Sequence, residues 1–197
     1  MKTKDEAVDA LRLLVREVAD PEGISIGTIR CDGGGEFQGM FENLAKSLGI
    51  KVTTNAPYVP QGNAVAERSF GTVIGVARCL MLGAPHVPPK LWPEAVKTAV
   101  YICNRTPTDV LGGKAPLELW MNKPLGGLKH MHEFGSIAFK HIEERHRNNK
   151  LAPRAQKMIM VGYNTKNKTY RLWTPERPHE ILNSAEVSFR EKDTRDV

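Results

Sequence analysis

Two carboxylates in this chain of 197 residues stand where an acid can do chemistry, Asp32 and Glu67. Asp32 comes just after Ile24 to Arg30, a stretch rich in β-branched residues that reads as a short buried strand. Gly33, Gly34 and Gly35 follow it. An acid just past a strand end and ahead of glycines sits where open α/β sheets place their active sites. Glu67 comes after a loop rich in proline, glycine and asparagine, Pro57 to Asn63, and falls in the first turns of the helix that starts there. Acids delivered by a strand end and a helix start can meet around a divalent cation, because hard cations take oxygen ligands. Taken singly, each has a plainer reading, as a helix cap or a solvated helical acid.

The flanking residues narrow the choice. Cys31-Asp32-Gly33-Gly34-Gly35-Glu36-Phe37 and Pro57-Tyr58-Val59-Pro60-Gln61-Gly62-Asn63-Ala64-Val65-Ala66-Glu67-Arg68 resemble the second half of the catalytic core of retroelement integrases, above all those of copia-type retrotransposons. That family carries two aspartates and a glutamate. Its second aspartate opens an Asp-Asn-Gly-Gly-Glu-Phe-like motif, and its glutamate ends a Pro-Tyr-x-Pro-Gln-x-Asn-Gly-x-x-Glu-Arg-like motif. The resemblance implies that Asp32 is the second aspartate and Glu67 the glutamate, 35 positions apart, both ligands of Mg²⁺ or Mn²⁺. Gly33 stands where the family has Asn and Ala64 where it has Gly, and neither change removes a ligand. The family's first aspartate lies on the first strand of the sheet and has no counterpart in this sequence. Asp5 and Asp9 fall on the helix before the Asp32 strand and Asp20 in the turn between them, so none replaces it.

Three carboxylates are needed because two divalent ions must be held a few ångströms apart. One activates the attacking hydroxyl and the other stabilises the leaving oxygen of an in-line displacement at phosphorus. The implied function is DNA integration by metal-dependent polynucleotidyl transfer, with this chain expected to be inactive alone. The other reading is a non-catalytic nucleic-acid-binding remnant of a mobile element. The implied partners are DNA, both element ends and target, and further copies in a homo-oligomer of the full-length family. An active element would place the protein in the nucleus.

The elements that must position the two acids follow from periodicity. Lys4 to Val18 spaces Ala7, Leu11, Leu14, Val15 and Val18 as one helical face, and Pro21 and Gly23 end it. Met40, Phe41, Leu44, Ala45 and Leu48 form a second stripe, with Gly49 placed to end that helix. Ile50 to Thr54 reads as a strand. Helix, strand, helix, strand implies parallel strands joined by a right-handed crossover. A long helix over Ala64 to Leu82 turns Val65, Phe70, Val73, Ile74, Ala77 and Leu80 inward. Another, Leu91 to Cys103, buries Trp92, Ala95, Val96, Ala99 and Val100, and Asn104-Arg105-Thr106-Pro107 stops it. Trp92-Pro93-Glu94-Ala95 and Asn104-Arg105-Thr106-Pro107 also have family counterparts, and Trp92 is expected as a core aromatic.

Glycine pairs at Gly112-Gly113 and Gly126-Gly127 bracket a short helical turn at Pro116 to Met121, and beyond them the period changes. Phe134 to Phe139, Lys157 to Tyr163, Thr169 to Trp173, His179 to Leu182 and Glu186 to Phe189 read as strands of a small barrel. The fold class is therefore α/β. Residues 1–110 form a partial ribonuclease-H-like fold with its first strands missing, 111–127 a linker, and 128–193 a small all-β barrel. This barrel resembles the one that follows the integrase core in copia-type polyproteins.

A net charge of +6 and a pI near 9.3 favour polyanionic partners. Arg145, Arg147, Lys150, Arg154, Lys157, Lys166, Lys168 and Arg171 lie in a stretch without a single acid. Such a block either neutralises phosphates, through Arg147, Lys150, Arg154 and Lys157 among others, or is a solvated loop between strands. Cys31, Cys79 and Cys103 are isolated, which speaks against a disulfide framework or a cysteine zinc site. His130 and His132 would share one face of a strand, and His141 and His146 lie near, but no cysteine has zinc-finger spacing and no metal is expected there. With no signal peptide or long apolar span, the chain is expected to be intracellular and soluble, away from membranes.

Overall fold

A computed structural model describes residues 5–32, 34–54 and 64–190. The loop Pro57 to Asn63 and Gly33, both part of the motifs above, lie outside the described residues. The chain divides into two compact units, residues 1–69 and 70–197, and the division falls within a single helix.

The first unit packs two helices on two strands. α1 (Asp5–Leu14) runs into a π turn, Val15–Ala19, where the Asp20 N–H donates to the Val15 carbonyl. β1 (Thr28–Cys31), α2 (Met40–Ser47) and β2 (Lys51–Thr54) follow. β1 and β2 pair in parallel, with Ile29 opposite Val52 and Cys31 opposite Thr54. Gly49, at φ +72°, ends α2, and the Ile50 N–H closes the turn on the Ala45 carbonyl at 2.8 Å. Ala7, Val8, Leu11, Cys31, Phe41, Ala45 and Ile50 make the core.

Several expectations for this unit are corrected. The strand starts at Thr28 rather than Ile24, and Thr28 and Arg30 are exposed, so it is buried on one face only. Leu14, at the end of α1, and Val18 are exposed; for Val18 the i→i+5 turn shifts the register of the stripe. Met40 and Leu48 are likewise exposed, while Phe41 and Ala45 hold the α2 face.

The second unit contains most of α3 (Ala64–Gly83), then α4 (Trp92–Cys103), α5 (Pro116–Met121) and five strands. β3 (Ile137–His141), β4 (Ala155–Asn164), β5 (Thr169–Trp173), β6 (Leu182–Ser184) and β7 (Val187–Arg190) form an antiparallel sheet in the order β6-β5-β4-β3-β7. The edge strands are consecutive: β6 ends at Ser184 and β7 begins at Val187. Three Cα steps span at most about 11 Å, whereas a flat five-stranded sheet holds its edges about 19 Å apart. The sheet must therefore roll, and the barrel follows from connectivity. Ala138, Met158, Met160 and Leu172 fill one face of the sheet. Val161 and Trp173 belong to a second cluster with Ala77, Ala84, Val87, Leu91, Ala95 and Ala99 of the helical segment.

Two glycines permit this packing. Gly135 has φ +86°, and a Cβ there would lie 2.5 Å from the Ala84 Cβ. Gly162, at the bulge in β4, leaves room for the Thr98 hydroxyl, which a Cβ would approach to 2.8 Å. That hydroxyl donates to the Val161 carbonyl at 3.2 Å.

Trp92 is not a core aromatic: it is 60% exposed. The buried face of α4 is Glu94, Ala95, Thr98 and Ala99, turned by about a quarter turn from the apolar stripe. Glu94 and Thr98 go inward because each has a bonded partner there, so Val100 is displaced outward with Trp92. On α3, Val65 and Phe70 are exposed as well, while Val73, Ala77 and Leu80 pack inward.

Candidate active site and nucleic-acid interface

Asp32 leaves β1 directly after the buried Cys31 and is exposed. Its Oδ1 accepts the Gly34 N–H at 3.1 Å, a turn in which the acid shapes its own loop. Burial, and then the neighbouring Asp32 charge, push the Cys31 thiol pKa up. The Glu36 carboxylate folds close over Gly34, where a Cβ would lie 2.7 Å from one of its oxygens, a contact the flexible side chain can relieve by moving. Phe37 anchors the loop edge-on against Phe41, with ring centroids 5.3 Å apart. Val8, Gly35, Glu36, Gln38, Met40 and Phe41 line a shallow cavity of about 380 Å³ beside it.

Glu67 lies in the first turn of α3, where the helix dipole favours an acid, and it is exposed. Around it, Arg68 Nε donates to the Ala64 carbonyl at 3.1 Å and Ser69 Oγ to the Val65 carbonyl at 2.8 Å. Both predicted ligands thus occur on the expected kinds of element, a strand end and a helix start. Their carboxylate oxygens are the donors a hard divalent cation takes. Among the described residues no group of three or more His, Cys, Asp or Glu is placed to hold a metal ion. The donor type fits such an ion, and the number of donors falls short of a two-ion site.

The basic stretch is not uniform. Lys150, Arg154 and Lys157 are exposed, and Arg147 is half-buried, its Nε buried without a hydrogen bond among the described residues. Arg145 pairs with Glu143 at 2.6 Å on the surface. Arg171 leaves the block altogether. It grips the buried Glu94 through two bonds, Nε to Oε2 at 2.6 Å and a terminal nitrogen to Oε1 at 3.0 Å, and Lys97 joins at 2.9 Å. Burial alone would raise the Glu94 pKa, but the bonds and charges of Arg171 and Lys97 outweigh it and hold the carboxyl below its ordinary range.

His130 and His132 are engaged with aromatic rings. His130 Nε2 lies 2.7 Å from the Tyr101 hydroxyl, and His132 stacks on Phe189 at 3.8 Å. Tyr101 also stacks on Tyr163 at 4.2 Å, and the Arg105 guanidinium lies 3.4 Å above its ring. Sequence reasoning missed this group because its members run from residue 101 to residue 189, with no shared period to connect them.

Comparison with known proteins covers the barrel separately and the chain as a whole. Residues 136–197 match the family described as the retroviral polymerase SH3-like domain. Over 196 residues, 99% of this chain, there is 34% identity to the retrovirus-related Pol polyprotein from transposon TNT 1-94 of Nicotiana tabacum. The retrovirus-related Pol polyprotein from transposon RE2 of Arabidopsis thaliana is 28% identical over 86% of the chain. The chain spans only 14% and 11% of the length of those relatives. In three dimensions it is similar to a chain of the simian T-cell lymphotropic virus intasome, solved in complex with PP2A regulatory subunit B56 gamma. The TM-score is 0.51 at 16% identity, covering 98% of this chain and 66% of that one. That likeness is one of fold: an α/β integrase-core-like segment followed by a small SH3-like barrel.

Proposed function

This chain is homologous to a segment of the retrovirus-related Pol polyproteins of plant copia-type transposons, and from that premise we propose that it is the part that acts on DNA ends during integration. Residues 1–110 are the later part of the catalytic core, 111–127 the connector and 128–193 the barrel. The observation that carries the reading is the placement of Asp32 at the end of β1 and Glu67 in the first turn of α3, each inside its motif.

In this reading Asp32 and Glu67 hold Mg²⁺ or Mn²⁺ through carboxylate oxygens. A divalent ion bound there supplies activation of a hydroxyl nucleophile and stabilisation of the leaving oxygen in phosphodiester transfer, the chemistry of 3′-end processing and strand transfer. Asp32 keeps its loop closed on Gly34 while one carboxylate oxygen stays unused by that bond. The chain supplies two of the three carboxylates the reaction uses, so strand transfer requires a further acid and this chain alone joins no ends. DNA, as element ends and target, and other copies of the same protein are its partners, and an active element brings it to the nucleus.

Calorimetric titration with Mn²⁺ tests the site. Weak binding by wild type that disappears in the Asp32→Asn/Glu67→Gln double variant supports the assignment, and identical isotherms overturn it. The second reading, a DNA-binding remnant without catalysis, is favoured by the exposed cations Lys150, Arg154 and Lys157. It predicts duplex binding that weakens steeply with salt. Replacing Arg147, Lys150, Arg154 and Lys157 by Ala then flattens the slope of log affinity against log salt, and an unchanged slope places the DNA surface elsewhere.

A further inference from the structure

Residues 142–154 connect β3 to β4, and the Ile142 N–H closes the base of this loop on the Arg154 carbonyl at 2.9 Å. Its tip is a β-turn, Asn149 to Ala152, in which the Ala152 N–H donates to the Asn149 carbonyl at 3.2 Å. The Asn149 side chain fixes the turn a second time, with Oδ1 accepting the Leu151 N–H at 2.9 Å. Lys150 and Leu151 therefore occupy the two corner positions. Leu151 is 97% exposed, with Lys150 and Arg154 exposed on either side of it. From residue 145 to residue 171 no acid interrupts the positive charge.

A leucine held this far into water gains nothing there, and the cations beside it draw a polyanion to the same point. One leucine is too small to anchor a protein contact, which buries about 800 Å² per partner. Duplex DNA is the polyanion that also offers an apolar interior, because base steps open to apolar wedges entering from the minor groove. Resting on the DNA-binding reading above, we propose that Leu151 is such a wedge. It enters between base pairs of duplex DNA while Lys150 and Arg154 hold the flanking phosphates.

The test uses the full chain and two duplexes of equal length, one with central TA steps and one an A-tract, end-labelled for energy transfer. TA steps unstack readily and A-tracts resist. Wild type binds the TA duplex more tightly and shortens its end-to-end distance. Leu151→Ala weakens TA binding by about fivefold to tenfold, abolishes the bend and the preference, and leaves the salt slope unchanged. Leu151→Met retains all three properties. Lys150→Ala/Arg154→Ala weakens both duplexes together and flattens the slope. Because Leu151 touches no core, loss of folding is not the explanation for its variant, and the melting transition confirms this. If Leu151→Ala bends and prefers the TA duplex as wild type does, the wedge is wrong while DNA binding stands. A Leu151→Ala change in sedimentation with unaltered DNA binding assigns the leucine to a second copy and overturns the wedge. No salt-dependent binding by wild type overturns both this inference and the DNA-binding reading.

Discussion

The two units cover their sheets differently. In the second, both faces of the central strands are covered: Met158 and Met160 of β4 belong to one cluster, while Val161 and Trp173 belong to the cluster that α3 and α4 complete. In the first, β1 and β2 form, among the described residues, a two-stranded parallel sheet whose Thr28 and Arg30 remain in solvent. Parallel sheets are ordinarily covered on both faces, and a two-stranded sheet is marginal by itself. Asp32 is thus carried by the less buttressed unit and the cation-bearing loop by the better buttressed one. For the metal role proposed for Asp32 this is tolerable, because an ion bound there would supply order where the fold supplies little.

Native-state hydrogen exchange is where this contrast produces its largest effect. Amides of β1 and β2 should exchange faster than those of β4 and β5 by roughly two orders of magnitude or more, since local opening tracks local burial. Equal protection in both sheets breaks the comparison. The next effect is confined to the second unit. Glu94→Leu removes the acid and leaves Arg171, 21% exposed at its side chain, without its partner. Stranding a buried charge costs roughly 3 kcal/mol, so thermal unfolding should shift for β3–β7 and leave β1 and β2 unchanged.

The same pair fixes a pH dependence. The folded Glu94 pKa lies below its ordinary value of 4.5, so the pair's stabilisation is complete above that value and is lost as pH falls through the folded pKa. In Glu94→Gln this acid limb disappears. A smaller effect is expected at Gly135, where Ala must accept φ +86° and a contact of 2.5 Å with Ala84. About 2 kcal/mol of destabilisation follows from strain and overpacking together. A melting temperature unchanged in Gly135→Ala means that the Ala84 turn can shift to make room.

Which of these features could be read in advance depends on the range of the interaction. Gly49 ending α2, the parallel β1–β2 pairing and the five barrel strands are set by local period and turn chemistry, and they stand as expected within a few residues. The face of α4 was not legible. The apolar stripe points to Trp92 and Val100, but Glu94 is drawn inward by Arg171, 77 positions away, and Thr98 by the Val161 carbonyl. Arg171 looked like one more cation of a basic block for the same reason, since its acid partner lies outside the stretch. At the candidate site the identity of Asp32 and Glu67 came from motif and their elements from period. The use of an Asp32 oxygen in its own turn came only from the structure.

That turn sets the smallest effect and separates the two roles of Asp32. Its Oδ1 accepts the Gly34 N–H at 3.1 Å on an exposed loop. Asn offers the same acceptor on the same frame without the charge, whereas Ala removes acceptor and charge together. Asp32→Asn should therefore leave the stability of the first unit close to wild type, while Asp32→Ala lowers it by about 0.5–1 kcal/mol. Mn²⁺ affinity responds differently, falling in both variants, because an amide oxygen is a poorer ligand than a carboxylate for a hard cation. Denaturant titration followed by exchange at β1 and β2, paired with Mn²⁺ calorimetry on the same three proteins, reads the two roles independently. Should Asp32→Asn destabilise as much as Asp32→Ala, the carboxylate charge rather than the turn bond holds the loop. Should both variants keep wild-type Mn²⁺ binding, Asp32 is a turn residue alone, and the less buttressed unit has lost its claim to the metal.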